Sequence, residues 1–196
     1  MVRTAEVVTP KHPDKICDRI SDAILDECLK QDPDTRAAIE TMGGHGIITV
    51  TGELTTKAFV DVSEVVKRVY GKDIGVQTNI VRQSPEIAQG VDTGGAGDQG
   101  IMIGYACNDN EELVPQEYYL ARKLAQHIYE KYPYDGKTQV TMNGNSLRVV
   151  ASFCCTPTNT LKDLVVEFFD QYPDYTIEDL HCNPAGDWSL GGFDAD

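Results

Sequence analysis

Apolar side chains recur every four positions near the start of the chain, at Ile16, Ile20, Ile24 and Cys28. This period predicts an amphipathic helix. Similar periods predict helices over residues 13–31, 61–70, 115–132 and 161–171. Apolar and alternating runs predict strands over residues 36–41, 46–54, 76–82, 101–107, 137–142, 147–155 and 180–183.

The order of these elements predicts an α+β protein. A β-α-β-β-α-β rhythm occurs about twice, which favours two similar units with helices on one face of each sheet. The glycine-rich segment 83–98 lacks apolar periodicity, so we predict a mobile loop and a domain boundary there. The predicted domains are residues 1–88 and 101–196, with a gating loop and glycine motif over residues 89–100.

The chain is strongly acidic, with 17 basic and 31 acidic side chains and a formal charge of −14. Such a surface repels nucleic acid and anionic lipid, so neither is an expected partner. The first residues lack the apolar core of a signal peptide, and no apolar run is long enough to span a membrane. We therefore expect a cytoplasmic protein, in which any nucleotide site must recruit cations.

The six cysteines form no Cys-x-x-Cys pair and show no Cys/His ligand spacing. The pattern favours buried, reduced thiols that bind no metal.

One candidate site lies where the first helix begins, at His12-Pro13-Asp14-Lys15. Proline suits the first helical position, and the free N–H groups of that turn favour an anion. His12 and Lys15 add donors, and Asp14 offers a carboxylate for a divalent cation that bridges to phosphate. Taken alone, these residues fit better a carboxylate that complements the helix dipole beside a solvated lysine.

Two further features carry weaker signals. A glycine-rich stretch, Gly94–Gly100, could cradle phosphate, but it has neither the Walker spacing nor a helix after it. Glu40 and Glu53 lie on neighbouring predicted strands among apolar residues. Each is either exposed to solvent or paired with a cation.

Together these motifs resemble the S-adenosylmethionine synthetases in order and rough spacing, and the resemblance covers essentially the whole chain. The motifs are His12-Pro13-Asp14-Lys15, Ser21-Asp22-Ala23, Glu40-Thr41, Gly52-Glu53-Leu54-Thr55-Thr56, Gln83-Ser84-Pro85, Gly95-Ala96-Gly97-Asp98-Gln99-Gly100, Asp135-Gly136-Lys137-Thr138-Gln139-Val140-Thr141 and Asn183-Pro184-Ala185-Gly186. The resemblance stops about halfway along a family member, so the third α+β unit of the family is expected to be absent.

The resemblance implies a two-step reaction. The methionine sulfur attacks C5′ of ATP and displaces the triphosphate, which is then hydrolysed to phosphate and pyrophosphate. It implies that His12 contacts the triphosphate near the breaking bond, that Lys137 and Asp135 contact ATP, and that Asp98 supports the site within its glycine motif. Trp188 stands where an aromatic side chain meets adenine.

The remaining roles implied by the resemblance concern methionine and the metals. Glu53 and Gln83 resemble methionine contacts, with Gln83 opening the gating loop. Asp196 matches the carboxylate that holds the methionine amino group. Asp14 resembles a ligand of Mg²⁺, and Glu40 resembles the ligand of K⁺.

The sequence also departs from the family pattern. The loop 83–98 is several residues shorter, Lys11 replaces a common glycine, and Asp187 replaces a cation beside the adenine position. The family's Arg-Lys pair, its later lysines and its second Mg²⁺ aspartate have no counterpart before the chain ends. We therefore expect a second polypeptide, carrying the C-terminal half of the synthetase, to complete the site.

Two alternatives remain open at this point. The chain could be a non-catalytic partner that regulates an intact synthetase, or a nucleotide-binding module that binds ATP·Mg²⁺ unaided. Because the absent third unit would leave apolar sheet faces uncovered, we also expect a hetero- or homo-oligomer.

Overall fold

A computed structural model describes residues 1–92, 94–97 and 99–195. The helices in this part of the chain are α1 (Pro13–Leu29), α2 (Val62–Tyr70), α3 (Pro85–Asp92), α4 (Gln116–Lys131) and α5 (Thr158–Phe169). The strands are β1 (Val2–Val8), β2 (Arg36–Gly44), β3 (Ile47–Thr55), β4 (Gly75–Val81), β5 (Gly136–Asn143), β6 (Ser146–Phe153) and β7 (Thr176–Cys182). The chain divides into a larger unit, Met1–Lys15 with Tyr105–Asp196, and a smaller unit, Ile16–Gly104.

The larger unit is built on a four-stranded sheet in the order β1-β5-β6-β7. β1, β5 and β6 pair antiparallel, and β7 runs parallel to β6. Helix α4 packs on β1 and β5, while α5 packs on β6, β7 and α4. One face of the sheet is therefore covered by helices, as the sequence predicts.

The core of the larger unit fills the space between that sheet and its helices. Along β5 and β6 every second side chain faces the helices. Val140, Val149 and Phe153 are among these side chains and are fully buried. Leu120, Leu124, Ile128, Leu161 and Val165 fill the opposite side of this core.

The smaller unit is built on a three-stranded sheet in the order β2-β3-β4, with β2 antiparallel and β4 parallel to β3. The four-residue period of α1 buries Ile20 and Ile24 completely. The Ser21 hydroxyl lies 2.9 Å from the Thr41 hydroxyl of β2, so α1 faces the sheet. Arg68 of α2 donates a hydrogen bond of 2.8 Å to Glu27 of α1.

The structure confirms the α+β class, but it differs from the predicted elements in three places. The hydrophobic pattern does not predict β1, which occupies the edge position of the larger sheet. Residues 101–107, predicted as a strand, form neither helix nor strand. Within the predicted loop 83–98, Pro85–Asp92 is a helix instead.

The two corrections that concern strands share a physical cause. A strand needs a partner, and the run at Ile101–Ile103 has none: each of those three side chains is more than 90% exposed. The place beside β5 is taken by β1, whose less apolar residues alternate in burial. The predicted domain boundaries at residues 88 and 101 remain a prediction, since the units that pack together are divided differently.

No helix in the described part of the chain is long and apolar enough to cross a membrane.

A buried carboxylate closes the turn between α1 and β2. Asp32 is 7% exposed and accepts hydrogen bonds from the main-chain N–H of Lys57 at 2.7 Å and of Asp34 at 3.3 Å. The Thr56 hydroxyl adds a third at 3.3 Å. The hydrogen bond from Lys57 is the main cause that lowers the pKa of Asp32.

We expect Asp32→Asn to make folding less sensitive to acid. Because the folded-state pKa of Asp32 is depressed, its stabilisation is complete above the pKa of an unfolded Asp, about 4, and is lost as pH falls below that value through the folded pKa. Urea unfolding at pH 6 and pH 3 should therefore show a smaller loss of stability in the variant than in the parent chain. Equal losses would contradict this role of Asp32.

Candidate active site

The turn between β1 and α1 is joined to the start of β5 in the larger unit. The Thr9 N–H donates to the Gly136 carbonyl oxygen at 2.9 Å, which extends the β1–β5 pairing by one hydrogen bond. The buried Thr9 hydroxyl donates to the Tyr134 carbonyl oxygen at 2.9 Å. These bonds bring the segment of His12 next to that of Asp135 and Lys137, although the two segments are far apart in sequence.

His12 is fixed by a hydrogen bond within its own turn. Its Nδ1 accepts the Asp14 main-chain N–H at 3.2 Å, which requires a lone pair on Nδ1. The neutral ring therefore carries its proton on Nε2. Asp14 Oδ2 also lies 3.7 Å from Nδ1, but this contact is an ion pair only if the ring is protonated. His12 can thus present an Nε2–H donor to an anion.

Asp14 projects into solvent from the first turn of α1, and its side chain is 83% exposed. Across the described residues, no group of three or more His, Cys, Asp or Glu side chains is placed to hold a metal ion. Mg²⁺ commonly binds through one or two carboxylates, with substrate phosphates and water as its other ligands. A single exposed carboxylate such as Asp14 fits that mode of binding if a phosphate group binds beside it.

Lys137 lies on β5 opposite Val8 of β1. Its Nζ is 3.4 Å from Glu6 Oε1, and both side chains are about half exposed. Such a pair is weak in water, so the ammonium can turn toward a more highly charged anion. Glu6 and Lys15 also border a groove of about 390 Å³ between β1 and α4, together with Arg122.

Asp135 has one carboxylate oxygen that accepts a hydrogen bond and one that is unpaired. Oδ2 accepts the Gly192 N–H at 2.7 Å, whereas the buried Oδ1 has no hydrogen-bond partner among the described residues. A buried unpaired acceptor is costly, and it points to a donor that arrives with a ligand or water. Hydroxyl or amino groups of a nucleoside are donors of this kind.

Trp188 is held through Asn183, a buried residue of the Asn183-Pro184-Ala185-Gly186 motif. The indole Nε1–H donates to Asn183 Oδ1 at 3.3 Å, and the same oxygen accepts the Phe153 N–H at 2.9 Å. Asn183 Nδ2 donates to the Thr156 carbonyl oxygen at 2.9 Å. The half-buried indole is thereby fixed in orientation.

Asp187, expected only to remove a cation, has a structural role in the larger unit. Its Oδ1 accepts the Thr158 N–H at 2.9 Å and the Thr158 hydroxyl at 2.5 Å, at the N-terminus of α5. The hydroxyl bond is the main cause that lowers the pKa of Asp187. A carboxylate at this position also complements the helix dipole.

In the smaller unit, Glu40 and Glu53 lie on the same face of the sheet. Glu40 pairs with Thr51, and Glu53 pairs with Ala38, which makes the two glutamates diagonal neighbours on β2 and β3. Glu40 is exposed and Glu53 is half-buried. The opposite face holds Ile48 and Val50, which are fully buried. The two carboxylates therefore share the polar, open side of the sheet.

Glu53 and Gln83 line one cleft of about 650 Å³ in the smaller unit, together with Arg36. The Gln83 N–H donates to the Thr55 hydroxyl at 3.3 Å. Gln83 Oε1 is buried without a hydrogen-bond partner in the described part of the chain. The cleft thus combines the Glu53 carboxylate, the unpaired amide oxygen of Gln83 and the Arg36 guanidinium. Leu25, Ile87 and Val91 form its apolar walls. Such a lining suits a zwitterion with an apolar side chain.

The structure thus gathers His12, Asp14, Asp135, Lys137 and Trp188 in the larger unit, and Glu40, Glu53 and Gln83 in the smaller one. Asp98 and Asp196 lie outside the described residues.

Two known protein-family domains match most of the chain. Residues 1–91 match the N-terminal domain of S-adenosylmethionine synthetase. Residues 93–156 match the central domain of the same protein. The chain belongs to the S-adenosylmethionine synthetase family.

Curated relatives agree with this assignment. An S-adenosylmethionine synthase of Clostridium tetani is 38% identical over an alignment 247 positions long. The alignment covers 98% of this chain and 62% of the relative. An S-adenosylmethionine synthase from a Nocardioides species is 42% identical over an alignment of 174 positions, which covers 71% of this chain and 44% of the relative. An S-adenosylmethionine synthase from Brachyspira hyodysenteriae is 40% identical over an alignment of 185 positions, which covers 76% of this chain and 47% of the relative. The chain therefore spans less than two thirds of the length of these synthases.

Some residues of the candidate site are not predicted from the sequence. Gly192 supplies the N–H that holds Asp135, and Arg36 lines the cleft of Glu53 and Gln83. Asn183 orients Trp188. An asparagine before proline signals a turn, but nothing in the linear pattern shows what its side chain contacts.

Proposed function

We propose that this chain is a subunit or N-terminal part of a methionine adenosyltransferase that acts in the cytoplasm. Joined to a second polypeptide, it forms S-adenosylmethionine, phosphate and pyrophosphate from ATP, methionine and water. The observation that carries the proposal is the junction of the His12 turn with the start of β5. At this junction a histidine donor, a lysine and an aspartate with one unpaired oxygen lie near the place where β1 ends and β5 begins.

In the first step the methionine sulfur attacks C5′ of ATP, a carbon–sulfur bond forms, and the carbon–oxygen bond to the triphosphate breaks. Sulfur is a neutral nucleophile and needs no base, so catalysis depends on alignment and on stabilising the leaving chain. His12 Nε2–H donates to the triphosphate near the breaking bond, and Lys137 exchanges Glu6 for a phosphate oxygen. Asp135 Oδ1 accepts from the nucleoside, and Trp188 stacks on adenine.

Methionine is proposed to bind in the cleft of the smaller unit. Glu53 and Gln83 Oε1 accept hydrogen bonds from its ammonium group, and apolar walls contact its side chain. Asp196 is proposed to add a second carboxylate to the amino group, and Asp98 to support the site. In the second step water hydrolyses the bound triphosphate.

Two cations complete the proposal. Asp14 would hold Mg²⁺ and Glu40 would hold K⁺, each as a single carboxylate ligand. When bound, Mg²⁺ neutralises charge on the polyphosphate and orients it.

A second, more basic polypeptide follows from the charge of this one. A triphosphate carries about four negative charges, and the chain itself has a formal charge of −14. His12, Lys15 and Lys137 are the cations that we assign to the triphosphate, which is few for so acidic a surface. The relatives extend well beyond the matched part, and we propose that the second polypeptide supplies further cationic groups.

The proposal is tested by measuring phosphate and S-adenosylmethionine release from ATP, methionine, Mg²⁺ and K⁺. The purified chain is assayed alone, and then mixed with a polypeptide that carries the remaining length of a synthetase. We expect activity in the mixture and none with either polypeptide alone. Efficient synthesis by this chain alone would overturn the need for a second chain.

A binding measurement separates the alternatives if the mixture is inactive. Trp188 is the single tryptophan of the chain, so its fluorescence reports on the proposed adenine site directly. An inactive mixture with a saturable ATP·Mg²⁺ signal indicates a nucleotide-binding module. An inactive mixture without that signal favours a regulatory partner of an intact synthetase.

A further inference from the structure

Two adjacent cysteines lie at the end of β6, in a turn that their own main chain stabilises. The Cys154 N–H donates to the Asp135 carbonyl oxygen at 2.9 Å, and the Cys155 N–H donates to the Trp188 carbonyl oxygen at 2.8 Å. The Thr156 hydroxyl donates to the Cys154 carbonyl oxygen at 3.1 Å. The turn is thus held from both sides, which fixes the positions of the two side chains.

The conformation of this turn brings the two thiols together. Neighbouring side chains on a strand point to opposite faces, but Cys155 has a φ of 54°, in the left-handed region. As a result the two Sγ atoms lie only 3.4 Å apart. Both sulfur atoms can therefore bind one soft atom at about 2.3 Å, the length of a zinc–thiolate bond. The angle between the two bonds at that atom is then near 90°.

The two thiols differ in accessibility. Cys154 is 4% exposed, and Gly191 packs against it closely enough that an added methyl group would lie 3.1 Å from its Sγ. Cys155 is exposed, so the sequence-based prediction of buried thiols is wrong for this residue. Burial is the main cause that raises the pKa of Cys154 to about 12. A reagent therefore meets Cys155 first, and Cys154 then closes the chelate from within.

We propose that Cys154 and Cys155 form a dithiol site for trivalent arsenicals, soft acceptors that carry two exchangeable bonds and one organic group. Zinc prefers four protein ligands in a closed site, and no third Cys, His, Asp or Glu joins the pair in the described residues. Trivalent arsenic needs only the two thiolates beside its organic group. That group can remain in solvent on the side of Cys155.

The chemistry needs no oxidant. With an organoarsenic oxide, two arsenic–sulfur bonds form and the bonds from arsenic to oxygen break. The two thiol protons leave with that oxygen as one water molecule, and the oxidation states of arsenic and sulfur do not change. The second bond forms within the molecule, so its effective concentration strengthens binding by about 10²–10⁴-fold over a single thiol.

The test uses phenylarsine oxide on the purified, reduced full chain, followed by intact mass and thiol titration. We expect uptake of one equivalent with loss of two of the six titratable thiols. A small dithiol should release the arsenical, while the same concentration of a monothiol should not. Peptide mapping should locate the adduct on Cys154 and Cys155.

Variants decide whether the pair is responsible. Cys155→Gly should weaken retention by about 100-fold or more, and glycine adopts the positive φ of this position without strain. Cys154→Ala should have the same effect, whereas Cys107→Ser, at a partly exposed cysteine outside the pair, should retain the arsenical fully. Full retention by a folded Cys155→Gly variant, or release by a monothiol, would overturn the proposal.

Discussion

Replacing His12 by alanine should lower the turnover of the reconstituted synthetase by about 10²–10³-fold, the usual cost of removing one donor to a developing oxyanion. The neutral ring of His12 carries its proton on Nε2 because Nδ1 accepts the Asp14 N–H, so Nε2–H is the donor that we propose for the triphosphate. Since charge builds on the leaving oxygen in the transition state, kcat should fall much more than KM rises. Steady-state kinetics of the mixture with the complementary polypeptide give both constants.

Two further variants serve as a partial rescue and as a control for His12→Ala. His12→Gln keeps an N–H donor on a side chain of similar length and should recover part of the lost turnover. His45→Asn changes a histidine in the β2–β3 turn, where the φ of 46° suits asparagine, and should leave kcat unchanged. If His12→Ala and His45→Asn had equal kcat, His12 would not act on the triphosphate.

Replacing Gly52 by alanine should destabilise the chain by about 3 kcal/mol or more. Gly52 has a φ of 131°, which strains any other residue, and an added Cβ would overlap the carbonyl oxygen of Ala38. The same Cβ would lie 3.2 Å from the Cα of Ile39. Because these are main-chain atoms of the paired strand, no side-chain rotation can relieve the overlap.

Urea unfolding at neutral pH measures this effect, and Gly104→Ala provides a matched control. Nothing lies within 4 Å of the position that a Cβ would occupy at Gly104. That variant should change stability by less than about 0.5 kcal/mol. Similar midpoints for both variants would show that β2 and β3 do not pair as described.

Local patterns predict much of this fold. The four-residue period from Ile16 to Cys28 and the alternation on either side of Asn143–Ser146 are sufficient to predict α1, β5 and β6. These signals depend only on neighbouring residues. β1 escapes prediction because its partner lies at Lys137–Asn143. The apolar run at Ile101–Ile103 suggests a strand, but a strand forms only where another strand can accept it.

For the candidate site too, some features are predicted from local sequence and others depend on tertiary contacts. The motif around His12 marks a helix start from sequence alone, and its relation to Asp135 emerges only when β1 pairs with β5. The open oxygen of Asp135 and the indole contact of Asn183 depend on tertiary packing. Such contacts leave no period in the sequence, which is why linear motifs do not predict the supporting side chains.

The pairing of β1 with β5 also determines the order in which the chain can fold during synthesis. Thr4 and Thr141, whose hydroxyls lie 2.9 Å apart, are separated by 137 positions. A ribosome that adds about 5–20 residues per second therefore releases β1 many seconds before its partner exists. The smaller unit can fold in that interval as an insertion between two parts of the larger one. Until β5 emerges, β1 lacks the strand with which it pairs, and its main-chain N–H and C=O groups are exposed to pairing with other chains.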